Sequence, residues 1–346
     1  MTFAVYQKKH PNKRYQICIT RILINLHSTT KKANCSQMKF IITTLIVFIS
    51  SAHPFISFAQ IVNDLAEQKL TGKVKSLTEY SYKLKKVNGK QQDILNSKSL
   101  YNYNQLGNKT NEYTYNADGS LDTRSVFTYD NSGLLIQEDS YNPDGSTGFT
   151  NVYKYDKRGN MVSVKLYDTY GSLFLRTSSE YDANDNETKE INYTQSVEKD
   201  KHKDVILNKT TWRYDEKGNM VEEQYYEGDS TITKETTYKY DDNGNKVVQN
   251  KSEGNMTLKS TYKYNSVGNP VEEIQFDANG SFAVKITYSY DEKGNETEEN
   301  YYDKDNSLQN HTVFQISYDK NGNWIRKLEV DNDKPTICMV REIIYY

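Results

Sequence analysis

Beyond residue 59 the reactive side chains of this 346-residue chain are two histidines, one cysteine and many carboxylates. His202 lies in Glu198-Lys-Asp-Lys-His-Lys-Asp204, a charged run that reads as a solvated loop. His311 falls in a stretch of strand character, where an exposed sheet histidine is expected. A histidine that works as base or metal ligand needs an orienting partner, and neither has one nearby in sequence. Paired carboxylates could cleave a glycosidic bond as acid and base. Here, however, the carboxylates recur at fixed intervals, whereas a catalytic pair is singular. No nucleophile motif, phosphate loop or Cys-His spacing is present. We therefore expect no enzyme and no cofactor.

Calcium is the better inorganic candidate. Asp182-Ala-Asn184-Asp-Asn186-Glu187 opens like an oxygen-ligand loop, but Glu187 stands where the sharp turn needs glycine. Asp241–Asn245 and Asp303–Ser307 are acidic in the same manner. Ordinary turn chemistry is the expectation, with no metal. The binding candidates are aromatic instead. Tyr225 and Tyr301 replace residues that are mostly polar in equivalent segments, and with Trp212 they could stack on sugar rings.

Those segments are repeats. Tyr103, Tyr129, Tyr155, Tyr181, Tyr214, Tyr240, Tyr264, Tyr290 and Tyr318 are separated by 26, 26, 26, 33, 26, 24, 26 and 28 residues. Twelve residues after each anchor, seven of nine positions are aromatic: Tyr115, Tyr141, Tyr167, Tyr193, Tyr226, Phe276 and Tyr302, against Ser252 and Val330. A fixed period of this kind marks a repeat architecture.

Five units contain a Tyr-Asp-x-x-Gly-Asn turn, at Tyr155–Asn160, Tyr214–Asn219, Tyr240–Asn245, Tyr290–Asn295 and Tyr318–Asn323, and a second turn is of the Asp118-Gly-Ser120 type or a relative of it. Aspartate bonds its own backbone two residues on, and Gly and Asn tolerate positive φ. Between the turns run strand-length segments rich in Tyr, Thr, Val and Ile. The second strand position is β-branched in every repeat, and the fourth is often glutamate: Glu112, Glu138, Glu190, Glu223, Glu273 and Glu299. Positions two and seven face opposite sides, and neither side is strongly apolar. The fold class expected is all-β: consecutive antiparallel hairpins, about 20 strands with a capping hairpin at Gly72–Tyr103, coiling into a long, twisted, open sheet. A single hairpin is not stable alone, so neighbours must stack. Seven extra residues before Trp212 should lengthen a turn around Gln195–Val205 into a charged protrusion.

The first 59 residues differ in kind, with eight of the 44 basic residues and none of the 46 acidic ones. Met38-Lys39-Phe40, the apolar run 41–58 and Ser57-Phe58-Ala59 read as a signal peptide over 38–59. Residues 1–37 then form an extension from a misassigned start, 60–72 a short lead-in and 73–346 the repeat domain. The protein should be exported, to the periplasm, the cell surface or beyond, with no membrane span left after cleavage. What remains has 36 basic and 46 acidic residues, a net charge near −10 that repels phosphate backbones, so nucleic acid is not an expected partner. Only Cys338 is left, so packing and hydrogen bonds must hold the domain. The polar composition also suits disorder, but 28 tyrosines in register with turn residues argue for order.

The Tyr-x-Tyr-Asp-x-x-Gly-Asn signature at Tyr153–Asn160, Tyr238–Asn245 and Tyr288–Asn295 resembles the tyrosine-aspartate repeats of the Rhs family, over about residues 73–346. The resemblance implies antiparallel hairpins coiling into a hollow shell, which in large members encloses a toxic carboxy-terminal domain. This chain's period is longer, and no cargo or self-cleaving segment follows the last repeat. Nine hairpins would be too few for such a cocoon, hence the expected open sheet. The function expected is a non-catalytic exported module that presents a curved β surface to a protein or glycan of the bacterial envelope. The alternative is a scaffold fragment that self-associates through its edge strands.

Overall fold

In a computed structural model, residues 63–87, 90–198 and 201–346 are described. The leader and Asn88-Gly89, expected as the first hairpin turn, lie outside them. A short helix, α1 (Asp64–Glu67), precedes twenty strands. The first five are β1 (Val74–Val87), β2 (Lys90–Tyr103), β3 (Lys109–Tyr115), β4 (Leu121–Tyr129) and β5 (Leu135–Tyr141). Next come β6 (Thr147–Tyr155), β7 (Met161–Tyr167), β8 (Leu173–Tyr181), β9 (Glu187–Glu198) and β10 (Lys201–Tyr214). Then follow β11 (Met220–Glu227), β12 (Thr231–Tyr240), β13 (Lys246–Glu253), β14 (Met256–Tyr264) and β15 (Pro270–Phe276). The chain finishes with β16 (Phe282–Tyr290), β17 (Glu296–Tyr302), β18 (Leu308–Tyr318), β19 (Trp324–Asp331) and β20 (Lys334–Tyr345). Every strand pairs antiparallel with the next, as hairpin arithmetic predicts.

The expected open sheet is wrong. β1 also pairs with β20, from Val74 opposite Tyr345 to Lys83 opposite Ile337, so the twenty strands form a closed barrel. Closure removes the two unpaired edges that an open sheet would expose. It is sealed by side chains as well: Arg341 on β20 donates to Glu79 on β1 at 2.8 Å. The hydroxyl of Tyr346 donates to the Tyr103 carbonyl at 2.6 Å. A ring of 16–18 strands already leaves a channel that side chains do not fill, and this ring is larger.

Strand alternation assigns the two walls. Following direct partners from Leu77 leads through Tyr101 and Glu112 to Ser125. Further along the ring the same face carries Thr177, Asn192, Asn208, Thr210 and Tyr225. Nearly all buried strand residues lie on this face, including Leu77, Tyr101, Phe127, Leu166, Trp212, Ile286 and Phe314; Cys338 is the exception. Closing a sheet crowds the concave side, so this face is the inner wall. Helix α1 packs against it: Leu65 and Leu70 join Val74, Leu77, Tyr101 and Tyr103 in the main apolar cluster. Asp64 accepts from the Lys109 amide at 2.7 Å and from the Tyr129 hydroxyl at 3.0 Å.

The strands meet at two rims. The first rim holds the nine Tyr-Asp-type turns together with the β1–β20 seam, and the second holds the other ten turns. The seven extra residues do not lengthen a turn at the second rim. They extend β9 and β10 to 12 and 14 residues, with His202 paired opposite Val197.

Candidate functional site

The first rim explains the periodicity. In the turn after Tyr155, Asp156 Oδ1 accepts the Arg158 and Asn160 amides at 2.8 and 2.9 Å. Gly159 takes φ +91°, a conformation in which a side chain would be strained. The anchor hydroxyl then reaches back one hairpin to the first strand residue of the previous repeat. Tyr155 donates to the Leu135 carbonyl at 2.8 Å, Tyr181 to Met161 at 3.0 Å, Tyr214 to Glu187 at 2.8 Å and Tyr240 to Met220 at 2.6 Å. Tyr264 and Tyr290 do the same to Lys246 and Pro270, both at 2.7 Å. Burial pushes the Tyr240, Tyr264 and Tyr290 hydroxyls up to about 12, so they remain donors at any physiological pH. Tyr318 closes instead on Asp291. Tyr103, the most buried anchor, turns to α1 and donates to Gln68 at 2.8 Å. The anchors are structural.

On the inner wall five of the six fourth-position glutamates face aromatic side chains across the ladder, and Glu190 faces Ser179 and Thr210. Glu112 pairs with Tyr101, Glu138 with Phe127, Glu223 with Trp212, Glu273 with Tyr262 and Glu299 with Tyr288. Tyr153 donates to Glu138 and Tyr238 to Glu223, each at 3.1 Å. Burial raises the pKa of Glu138, opposed by Lys109. Lys109 itself binds Glu112 at 2.7 Å and lies over the Tyr101 and Phe127 rings. Glu190 is raised by burial too, and Glu187 is pushed up to about 7, mainly by burial and further by Glu190.

All three aromatic candidates stand on this inner wall. Trp212 and Tyr225 occupy neighbouring strands, two rungs of the β10–β11 ladder apart, since Trp212 faces Glu223 and Tyr225 faces Thr210. Tyr301 is on β17, opposite Ile286 and Asn310, and does not join them. Trp212 and Tyr225 are each only 8% exposed, so they pack against the wall rather than offer an open stacking surface. Beside them is the densest buried polar group, Glu190, Asn192, Asn208 and Thr210. Asn192 accepts from Thr177 Oγ1 at 2.6 Å and donates to Glu190 and Asn208 at 3.0 Å.

The outer wall carries what residue types alone did not reveal. Opposite six of the seven aromatic partners, on the preceding strand, sits a cation: Lys98 faces Tyr115, Arg124 faces Tyr141 and Arg176 faces Tyr193, whereas Tyr167 faces Thr150. Lys209 faces Tyr226, Lys259 faces Phe276 and Lys285 faces Tyr302. The cations lie over the rings at 4.7, 5.5, 3.9, 4.3, 5.5 and 4.2 Å from the centroids, in the same order. The readable signal is a basic residue 17 positions before six of the seven aromatic partners. Because the pairs occupy equivalent strand positions in their repeats, they run as a band around the outer wall.

The remaining candidates resolve locally. His311 faces the outer wall and contacts Glu298 at 3.1 Å; the side chain of His202 lies outside the described residues. Asp182, first residue of the calcium-like segment, accepts the Asn184 and Asn186 amides at 2.8 and 2.9 Å and the Asn186 side-chain amide at 3.0 Å, so its oxygens are engaged within the turn. A hollow of about 440 Å³ lies on the first rim, lined by Leu106, Phe127, Tyr129 and the Asp130–Gly133 turn.

No family model and no curated protein matches this chain. Similar solved structures include a porin-like protein from Bacteroides uniformis, at 12% identity and TM-score 0.34, covering 78% of this chain and 98% of that one. A porin-like protein from Bacteroides vulgatus matches at 10% identity and TM-score 0.29, over 80% and 99% of the two chains. The TcdB2-TccC3-Cdc42 structure matches at 12% identity and TM-score 0.24, over 74% of this chain and 18% of that one. Likenesses this low assign the chain to no family.

Proposed function

We propose that this barrel is a non-catalytic binding module, exported to the bacterial envelope, that holds a glycan or protein on its repeated walls. The observation that supports the reading is repetition: glutamates, tyrosines and cations recur hairpin by hairpin and give many equivalent contacts rather than one reactive centre. Among the described residues no cluster of three or more potential metal ligands occurs. The Tyr-Asp signature aligns the chain with tyrosine-aspartate repeat proteins, and the leader supports export.

Lipid insertion is disfavoured by the outer wall. Asp139, Lys165, Arg176, Lys209, Glu235 and Lys285 all stand within its strands. A cation at the bilayer midplane costs about 2–4 kcal/mol on a barrel surface. Self-association through edge strands is the less favoured reading, because β1 and β20 are each other's partners. The test is capture of envelope polysaccharides and proteins by the purified full-length protein, with turnover of each captured glycan followed in parallel. Saturable capture without turnover is expected. Turnover abolished by changing one carboxylate, or no capture at all, would overturn the proposal.

A further inference from the structure

Six cation–aromatic pairs circle the outer wall, and their companions show that not all are spoken for. Arg176 is paired with Asp204 at 2.5 Å and Lys209 with Asp229 at 3.2 Å. Lys98, Arg124, Lys259 and Lys285 have aromatic rings beneath them and no ion pair among the described residues. They come in two couples on successive repeats, Lys98 with Arg124 and Lys259 with Lys285. Members of a couple are two strands apart and displaced by two residues along them, since Lys98 faces Tyr115 and Arg124 faces Tyr113, a separation of about 11–12 Å. In two repeats the charged end and the ring are lost together, with Glu235 and Ser252, and likewise Val313 and Val330, where the cation and aromatic would be; in a third, Tyr167 keeps the ring but faces Thr150. The ring is positive although the domain has a net charge near −10.

We propose that this outer ring binds an anionic polysaccharide lying around the barrel, with one acidic sugar per repeat held by the cation and a neighbouring sugar face laid on the aromatic. This rests on the binding reading above and names its ligand class. A cation beside an aromatic face matches a carboxylated sugar, which has an acidic edge and an apolar face, better than it matches an acidic peptide.

The experiment uses the full-length protein and polygalacturonate as probe, with its methyl-esterified form, poly-glutamate and duplex DNA as comparisons. Polygalacturonate should bind in a salt-dependent manner, at least tenfold tighter than the esterified polymer and the two other polyanions. The double variants K98Q/R124Q and K259Q/K285Q should each weaken it at least tenfold, while K259R/K285R retains binding. Phe276→Leu with Tyr302→Leu should weaken it too. R213Q/K263Q, which removes outer-wall cations already paired with Glu222 and Glu272, should leave it unchanged. Equal binding of poly-glutamate or DNA would overturn the proposal, as would polygalacturonate binding that ignores the ring variants while their thermal stability falls. If polygalacturonate fails but the captured envelope ligand still binds, only this inference is lost. If nothing binds, the module reading fails with it.

Discussion

The two rims of the barrel are built from the same hairpins yet obey different rules. At the first rim every connection between strands has the same length, from Tyr103 to Lys109 through Tyr318 to Trp324. At the second, Glu253 is followed by Met256 three residues on, whereas Phe276 is followed by Phe282 six residues on. The irregular intervals between anchors therefore arise away from the first rim, in the second-rim connections and in the longer strands β9, β10 and β18. The difference has a physical cause. First-rim turns are tied to their neighbours, since seven of the nine anchor hydroxyls bond a carbonyl of the preceding hairpin, and Asn160 also donates to Asp185 in the next turn at 2.7 Å. Second-rim turns bond mainly within themselves: Asp144 accepts from Ser146 and touches no other hairpin. One rim sets register for the ring, and the other is free to vary.

The sharpest way to break this contrast is to insert two glycines into each rim. Between Glu216 and Lys217 the insertion separates Asp215 from Asn219, which it now bonds at 2.7 and 3.0 Å, and disturbs Met220, the acceptor for Tyr240. A loss of about 2–4 kcal/mol in urea unfolding is expected. The same insertion after Glu253 should cost less than about 0.6 kcal/mol. Equal losses would erase the distinction.

Acids on the inner wall and on the first rim should respond to pH with opposite signs. Glu187 has its folded pKa raised to about 7. Between its ordinary value of 4.5 and 7 the unfolded chain is ionised while the folded one is not, so stability falls as pH rises through that window. Glu187→Gln should abolish this slope and gain up to about 3 kcal/mol at pH 8. Asp182 and Asp291 are depressed by turn hydrogen bonds, so the stability they contribute is complete above the ordinary carboxylate value and is lost on acidification. Chemical denaturation at several pH values checks both limbs.

Smaller effects refine the comparison. Tyr264→Phe, which leaves the Lys246 carbonyl without its donor, should cost about 1 kcal/mol in thermal unfolding. Tyr302→Phe, on the outer wall, keeps its ring beneath Lys285 and should change stability by less than about 0.5 kcal/mol. Shortening the β9–β10 hairpin at its tip should be smaller still, below about 0.6 kcal/mol.

Much of this was legible from residue types. The Tyr-Asp-x-x-Gly-Asn turns locate one end of every hairpin, and the odd spacing between Val162 and Tyr167 places them on opposite walls. Closure was not legible. Val74 and Tyr345 meet across almost the whole domain, and nothing local separates a strand that waits for a distant partner from one that stays unpaired. The lysines of β1, Lys75, Lys83, Lys85 and Lys86, even look like protection of an exposed edge. That Tyr225 lies on the opposite wall from its neighbour Tyr226 follows from alternation, but alternation alone cannot say which wall is concave, and concavity is what buries Tyr225 and Trp212.

The seam between the first and last strands also shapes how the molecule must assemble. A linear stack of repeats can nucleate anywhere and grow outward, each unit adding its share. Here the final ladder joins residues from opposite ends of the chain, so it contributes only after every intermediate hairpin is in place. High contact order of that kind predicts slow folding with an incomplete, sticky-ended crescent on the way. Such a crescent is where a chaperone would be most needed, and where deleting one hairpin would produce a narrower hoop rather than a shorter rod.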